Sequence, residues 1–177
     1  MNFLKRINLF EILLVMVILS LHVYAAMADA YAFPNNWFVR DDAYYYFKVA
    51  QNIAEGHGST FDGINITNGY HPLWMLVCIP IFALAKIDLI LPLRILLVVI
   101  AGIHAATAVM IYRLIKAHLS QAIAILAAVF WSFNSYIHTT VYEMGLETPI
   151  AAFAVVLVIY HLAKFEQDWR VKNIPTQ

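Results

Sequence analysis

The chain has 177 residues, of which 63% are hydrophobic and only 12% charged, and its mean hydropathy is +0.73. Soluble domains carry about 25% charged residues, so this composition excludes an ordinary soluble domain and indicates an integral membrane protein. The formal net charge is zero, which supplies no basic field for nucleic acid, and we predict no nucleic-acid partner. The single cysteine, Cys78, has no partner for an intramolecular disulfide. Zinc-type Cys/His spacings, Gly-rich phosphate loops and GxSxG elbows are absent from the sequence.

Apolar residues concentrate in five stretches, at 7–28, 73–85, 89–112, 121–138 and 149–163. A helix needs about 20 residues to cross the hydrocarbon core. The stretch 73–85 is shorter and has Pro80 near its centre, so we predict an interfacial helix there and transmembrane helices in the other four. The first stretch also resembles a secretory signal ending in "AAMADA". Its apolar run exceeds the 7–15 residues of a signal core, which favours an uncleaved span.

Charged residues test this arrangement. With four crossings, seven of the 11 basic residues lie on the side of the amino terminus and eight of the 11 acids on the opposite side, as the positive-inside rule requires. Five crossings would place most of the basic residues outside. The sequence therefore predicts a cytoplasmic amino terminus and a cytoplasmic tail at 164–177, with outer loops at 29–71 and 139–148. A single glycosylation sequon and the lack of a retention signal favour the plasma membrane of a prokaryote.

The first outer loop contains an amphipathic pattern. Apolar residues from Ala43 to Ala54 recur at helical spacing, which predicts a helix at 42–55 lying along the membrane surface. Asp41 or Asp42 stands where the N-cap belongs, and the glycines of "GHG" follow the last turn. One N-cap needs only one carboxylate, so the second carboxylate is a candidate for a catalytic or metal-binding role. A carboxylate at a water–lipid boundary suits a general base or a metal ligand, and capping alone is the other interpretation.

The remaining polar residues have structural interpretations as well. Around His71, "YHPLW" is typical of an interfacial aromatic anchor. In the second outer loop, Glu143 and Glu147 stand four residues apart, and Glu147 fits the first turn of the next helix. Within the spans, Glu11 lies near the cytoplasmic end, where a carboxylate can snorkel, and His104 marks a polar contact between helices.

The segments "DDAYYYFKVAQNIAEGHG", "NGYHPLW", "LRILLVVIAGIHAATAVMIYRL" and "GLETP" occur here in an order that resembles a known family. They look like the amino-terminal part of the GT-C superfamily of membrane glycosyltransferases, nearest to the protein O-mannosyltransferases and aminoarabinose transferases of glycosyltransferase family 39. The resemblance implies an all-α, polytopic transmembrane protein whose extracytoplasmic loop carries juxtamembrane amphipathic helices.

The resemblance also implies an activity. Members transfer a sugar from a polyprenyl-phosphate donor to an acceptor hydroxyl of a protein, lipid or glycan on the outer face, with inversion. The catalytic acids fall on Asp41, Asp42 and Glu147, with Asp41 as the general base that deprotonates the acceptor hydroxyl or as the group that orients it. Glu147 then positions the acceptor or, together with Asp41, a divalent cation such as Mg²⁺ or Mn²⁺. The candidate substrate-binding residues are Arg40, Tyr44, His71, Arg94 and Glu143. Of these, Arg40 and Arg94 are the cations placed to meet the donor phosphate, and salt bridges to outer acids are the alternative for both.

Members of this family have more crossings than four, which predicts that the chain is the amino-terminal portion of such an enzyme, a degenerate copy of one, or a subunit that needs a partner. The rival hypothesis is a non-catalytic scaffold or assembly module of the same ancestry, whose outer acids only cap helices. Transport is disfavoured because no acid, lysine or arginine lies in the middle of a predicted span.

Overall fold

The computed structural model describes residues 8–31 and 33–173, and this part of the chain is helical without any strand. The helices are α1 (Leu9–Ala26), α2 (Phe33–Asn36), α3 (Asp41–Ala54), α4 (Pro72–Phe82), α5 (Leu91–His118), α6 (Gln121–Phe133), α7 (Ser135–His138) and α8 (Thr148–Asn173). A 3₁₀ turn, Ala83–Lys86, continues α4, and a π-helical turn, Thr139–Glu143, continues α7. The predicted all-α class is confirmed.

Three of the described helices are long and apolar enough to cross a membrane, namely α1, α5 and α8. A fourth candidate arises only if α6 and the segment Ser135–Glu143, which meet at an angle of 50°, form one broken span. The helix Pro72–Lys86 is apolar but shorter than these candidates. The chain is therefore a membrane protein with transmembrane helices, and the predicted fourth crossing depends on the bent pair.

The bend lies at Asn134, inside the stretch 121–138 for which a continuous helix is predicted. Asn134 has an extended backbone (φ −69°, ψ 128°), and its side chain accepts hydrogen bonds from the amides of Tyr136 and Ile137 at 3.0 and 3.2 Å. Asparagine side chains compete in this way for backbone donors and favour N-caps over helix interiors. Asn134 thus ends α6 and caps α7, a local effect that hydrophobicity alone does not report.

Several helix ends differ from their predicted positions. α3 begins one residue earlier than predicted, at Asp41, and α5 runs six residues beyond the predicted 89–112. α8 continues through most of the segment predicted as a polar tail. An exposed i,i+4 pair between Glu166 and Arg170 (2.7 Å) supports this polar extension, because such pairs stabilise helices without any burial. Residue 7, residue 32 and residues 174–177 of the predicted elements lie outside the described residues.

α5 is the central helix of the bundle and packs against α1, α6 and α8, while α3 packs on α4 at the end where α5 begins. Small residues let α5 and α6 approach closely: Ala101, Ala105 and Ala108 of α5 and Ala124 and Ala128 of α6 are buried. Within the apolar windows of the spans, 56% of α5 is buried but only 11% of α8. α5 therefore forms the inner helix, and α8 presents most of its apolar surface outward.

An ion pair joins α1 to α5 near the other end of α5. The guanidinium of Arg113 donates from Nε to Glu11 Oε1 at 2.6 Å and from Nη2 to Glu11 Oε2 at 2.7 Å. Only 4% of the Glu11 side chain and 16% of the Arg113 side chain are exposed. Glu11 also completes a capping box with Asn8 at the start of α1. Glu11 is thus paired inside the bundle, whereas the sequence predicts a snorkelling carboxylate.

Candidate functional site

Three segments that are distant in sequence meet at the end of the bundle that carries α3 and α4. They are the start of α3, the start of α4 and the turn 143–147 before α8. The Val39 amide donates to the Glu143 carbonyl at 2.9 Å, and Trp74 Nε1 donates to the Gly145 carbonyl at 3.3 Å. All three segments carry predicted site residues, so the fold brings most of the candidate site together.

Glu147 is held between two side chains from the other segments. Its Oε1 lies 3.2 Å from His71 Nε2, and its Oε2 accepts from the Tyr46 hydroxyl at 3.4 Å. The same hydroxyl accepts the His71 backbone N–H at 2.8 Å. We call Glu147, His71 and Tyr46 the Glu147 cluster. Tyr46 is buried, while 30% of the Glu147 side chain and 68% of the His71 side chain are exposed, so the carboxylate is both oriented and reachable from solvent.

Tyr46 stays protonated in this setting. Burial raises the pKa of its hydroxyl and the neighbouring Glu147 carboxylate adds to this, while the hydrogen bond from the His71 amide acts in the opposite direction. A phenol that remains neutral keeps its proton for donation to a carboxylate. Tyr46 is therefore a hydrogen-bond donor that positions Glu147, a role that the sequence does not reveal because Tyr46 matches the core-facing positions of an amphipathic helix.

Asp41 and Asp42 occupy the first turn of α3, and neither is its N-cap. Arg40 takes the N-cap position with an extended backbone and no capping side chain, which differs from the predicted aspartate cap. Oδ1 of Asp41 accepts the Asp42 amide at 3.0 Å, and both aspartates are exposed. Negative charge at a helix amino terminus is stabilised by the exposed backbone N–H groups there. The two carboxylates thus lie exposed in the first turn of α3, directly after the exposed Arg40.

The other predicted substrate-binding residues divide between two places. Tyr44 is partly exposed on α3 and packs edge-on against Phe47 at 5.5 Å. Glu143 is half-buried, and its carbonyl joins the segment before α3. Arg94, however, donates from Nη2 to the carbonyl of Ala28 at 2.9 Å, beyond the end of α1. Its guanidinium therefore satisfies a carbonyl just beyond a helix end and forms no salt bridge with an acid of the described residues, while its predicted role in phosphate binding stays a prediction.

No group of three or more His, Cys, Asp or Glu side chains in residues 8–31 and 33–173 is arranged to hold a metal ion. Mg²⁺ commonly needs only one or two protein carboxylates together with substrate phosphate. Asp41 and Glu147 supply carboxylates of this kind, and their predicted role as metal ligands stays a prediction.

Two residues with left-handed backbones face each other where the segment before α3 meets the turn 143–147. Phe38 is fully buried with φ +56°, an unusual conformation for a bulky residue, and Gly145 has φ +64°. A Cβ on Gly145 would lie 2.7 Å from Cδ1 of Phe38 and 3.1 Å from Cβ of Ala43. Only a glycine therefore allows the turn to approach α3 this closely, and the strain at Phe38 directs the chain into the first turn of α3.

We expect Gly145→Ala to lower the free energy of unfolding by about 2–4 kcal/mol, since alanine in a left-handed conformation costs about 1 kcal/mol and overpacking adds about 1–3 kcal/mol. Gly56→Ala is the matched control, because Gly56 has φ +84° but no atom within 4 Å of an added Cβ. Thermal unfolding in detergent measures both variants. Equal losses for the two would contradict the close approach at Gly145.

We expect Tyr46→Phe to destabilise the fold by about 1–2 kcal/mol, because it leaves the His71 amide and the Glu147 carboxylate without their shared hydroxyl. Tyr44→Phe removes the hydroxyl of a partly exposed side chain on the same helix and should change stability by less than about 0.5 kcal/mol. The same unfolding assay compares them. If Tyr46→Phe left the free energy of unfolding unchanged, this hydroxyl would not be what positions Glu147.

A second polar cluster lies inside the bundle, next to the turn 143–147. The rings of His22, His138 and His104 surround Tyr142, with centroids at 4.0, 4.7 and 5.2 Å from the Tyr142 ring, and Trp131 stacks on His104 at 5.5 Å. We call these five residues the histidine cluster. It joins α1, α5, α6 and the bent segment 135–143, so His104 does mark a contact between helices, through aromatic packing.

Polar atoms in the histidine cluster are buried without hydrogen-bond partners among the described residues. They are Nε2 of His22, both ring nitrogens of His104, Nε1 of Trp131 and the Tyr142 hydroxyl. The Nδ1–H of His22 donates to the Ile18 carbonyl at 2.7 Å, which leaves Nε2 as the acceptor of a neutral ring. Unpaired buried polar atoms are rare in proteins, and π-helical turns such as 139–143 often mark functional sites. The sequence indicates only His104 of this set, because the other members lie on separate elements.

Over the described residues, the fold and the site define a helical membrane protein in which acids from two distant segments, together with His71 from a third, lie at one end of the bundle. In comparisons with protein-family models, curated proteins and solved structures, nothing matched this chain. The relation to GT-C glycosyltransferases therefore stays a prediction from the residues of the sequence.

Proposed function

We propose that this chain forms the acid-bearing site of a membrane glycosyltransferase. It would transfer a sugar from a polyprenyl-phosphate donor to an acceptor hydroxyl on the outer face of a prokaryotic plasma membrane, with inversion. The observation that supports this best is that the start of α3, which carries Asp41 and Asp42, packs against the turn that carries Glu147, although the two segments come from distant parts of the chain. Acids that only capped separate helices would not need to be brought together by a strained Phe38 and a close-packed Gly145.

In the proposed reaction, Asp41 accepts the proton of the acceptor hydroxyl. The acceptor oxygen forms a bond to the anomeric carbon, while the bond from that carbon to the phosphate oxygen breaks and polyprenyl phosphate leaves with the electron pair. A general base of this kind contributes about 10²–10⁴-fold to a rate. Because the donor lipid keeps its phosphate at the membrane surface, the acids must also lie there, at the end of the spanning helix α5.

Glu147 orients the acceptor in this proposal, since Tyr46 and His71 hold its two oxygens in place. Arg40 is exposed and directly precedes Asp41 in the sequence, so we assign it to bind the donor phosphate. A divalent cation such as Mg²⁺ or Mn²⁺, when bound by Asp41 and Glu147, would supply charge neutralisation for the leaving phosphate.

One observation favours the rival, a non-catalytic scaffold. Both oxygens of Glu147 and one oxygen of Asp41 already have contacts within the chain, as expected of acids that only hold helix ends together. The two hypotheses differ in whether the exposed carboxylates act on a substrate.

A transfer assay separates them. Membranes containing the chain are incubated with a panel of polyprenyl monophosphates that carry different radiolabelled sugars, and the release of polyprenyl phosphate and the labelled product are followed. We expect release that depends on the chain, with an anomeric configuration opposite to that of the donor. Membranes without the chain are the control. No release above that control with any donor of the panel would favour the scaffold.

A further inference from the structure

The loop between α3 and α4 presents two isoleucines outward. Ile64 is 84% exposed and Ile66 is 91% exposed, more than any other aliphatic side chain among the described residues. Single exposed apolar residues are common on protein surfaces. Two exposed isoleucines lie two positions apart at the tip of one loop. If the loop is rigid, they form a fixed apolar patch that can bind an apolar surface.

The tip of the loop is held by a dense set of hydrogen bonds around Asp62. Its carboxylate accepts from the Thr60 hydroxyl, from the amides of Ile64 and Asn65 at 2.9 and 2.8 Å, and from the Asn65 side chain at 2.6 Å. Gly63, with φ +81°, donates its N–H to the Thr60 hydroxyl at 3.0 Å. The bonds from Asn65, its amide first, hold the pKa of Asp62 far below its usual range, so the carboxylate that organises the turn stays ionised.

The base of the loop is fastened to α3. The Asn52 side chain donates to the carbonyls of Thr60 and Phe61 at 2.7 and 3.2 Å, and the Phe61 ring stacks on Tyr45 at 5.4 Å. The Thr67 amide donates to the Ser59 carbonyl at 2.8 Å, which closes the loop. Many of its backbone groups are therefore satisfied internally. A segment that enters the lipid interface needs this, because unpaired backbone groups are costly there.

The base of the loop also lies beside the start of α5. Phe61 borders one apolar groove together with Phe82 at the end of α4 and Leu89 and Leu93 around the start of α5. α5 is a candidate transmembrane helix that begins at Leu91, so this groove lies at one end of a candidate span. Ile64 and Ile66 follow Phe61 by three and five residues, so the exposed isoleucines belong to the loop whose base borders this groove.

We propose that Ile64 and Ile66 insert into the lipid interface and anchor the loop 59–67 to the membrane surface. The insertion is shallow, because the ionised Asp62 and the polar Asn65 must stay among headgroups and water while the two isoleucine side chains reach the acyl boundary. The anchor fixes the tilt of α3, and with it the height of Asp41, relative to the bilayer. This proposal rests on the membrane class of the protein and is independent of the proposed transferase activity.

Spin labelling tests the anchor. Cys78 is the only cysteine of the chain and is buried, so a thiol-specific nitroxide reports on a cysteine introduced at Ile64→Cys or Ile66→Cys. The wild-type chain measures background labelling. In nanodiscs of phosphatidylethanolamine and phosphatidylglycerol, collisions of the nitroxide with oxygen, which enters lipid, are compared with collisions with a water-soluble nickel chelate. His57→Cys, at an exposed polar position beyond α3, is the control.

We expect the oxygen-to-nickel ratio at both isoleucine positions to exceed that at His57→Cys by several fold. Adding Asp62→Ala should lower the ratio at Ile64→Cys toward the control, because the turn no longer holds the tip. Ratios equal to the control would overturn the proposal in favour of a loop in water. Low access for both reagents at the isoleucine positions would also overturn it, in favour of a protein contact.

Discussion

Asp41→Asn is expected to lower the rate of sugar transfer by about 10²–10⁴-fold, the contribution of a general base. Asparagine keeps the size of the side chain and its oxygen can still accept the Asp42 amide, so the first turn of α3 is preserved. The loss should therefore appear in the rate of the chemical step, with little change in donor binding or in thermal stability. Release of polyprenyl phosphate from labelled donor measures the rate, and the melting temperature in detergent measures stability.

Asp42→Asn is the matched control for Asp41→Asn, since it changes the neighbouring exposed carboxylate in the same turn. We expect a smaller loss, below about tenfold, because Asp42 contributes charge at the site and does not take the proton. Glu55→Gln, at the other end of α3, should leave transfer unchanged. Equal activity of Asp41→Asn and the wild type would remove Asp41 from the mechanism, and a larger loss for Asp42→Asn would exchange the two roles.

Breaking the ion pair between Glu11 and Arg113 is expected to be the most destabilising change in the bundle. Arg113→Met leaves a carboxylate that is only 4% exposed without its partner, and Glu11→Gln weakens both bonds to the guanidinium. Removing one partner of a buried pair costs about 3–5 kcal/mol, because the remaining charge stays desolvated. Unfolding of the single and double variants in detergent, as a double-mutant cycle, isolates the coupling between the two side chains.

We expect the double variant to lose less than the sum of the single losses, by about 2 kcal/mol or more, since no unpaired charge remains in it. The pair between Glu166 and Arg170 provides the comparison, because its side chains are 62% and 63% exposed. A cycle on that pair should give a coupling below about 1 kcal/mol. Additive losses at Glu11 and Arg113 would show that the two helices are not joined by this pair.

The helices of the fold are largely predictable from the sequence, for a physical reason. α3 follows from apolar residues at helical spacing, and its predicted and observed starts differ by one residue. The spans α1 and α5 follow from uninterrupted hydrophobicity. Unpaired backbone N–H and C=O groups are costly in lipid, and a single segment pairs them internally only as a helix. Where a single polar side chain decides, prediction fails. Asn134 bends the third predicted span by capping α7, and one asparagine does not register in a hydrophobicity average.

The candidate site is predictable only in part. Asp41, His71, Glu143 and Glu147 belong to motifs, and the fold places them on segments that meet. The contacts that hold Glu147 could not be predicted, because Tyr46 reads as a core residue and the pairing of Glu147 with His71 spans distant parts of the chain. Arg94 shows the converse. The sequence suggests a cation at a helix end that is free to bind phosphate, whereas in the structure its guanidinium donates to the Ala28 carbonyl.

Properties that depend on local composition were determined by the sequence alone: an apolar, charge-poor chain that must be helical in a membrane, an amphipathic α3, and a predicted helix at 73–85 that is shorter than the spans and is observed at Pro72–Lys86. Tertiary structure alone decided which polar side chains meet. It paired Glu11 with Arg113, closed the Glu147 cluster and gathered three histidines around Tyr142. The physical reason is that hydrophobicity and helix propensity act between near neighbours in the chain, whereas hydrogen bonds and ion pairs between helices depend on their rotation and relative position, which only the packed bundle defines.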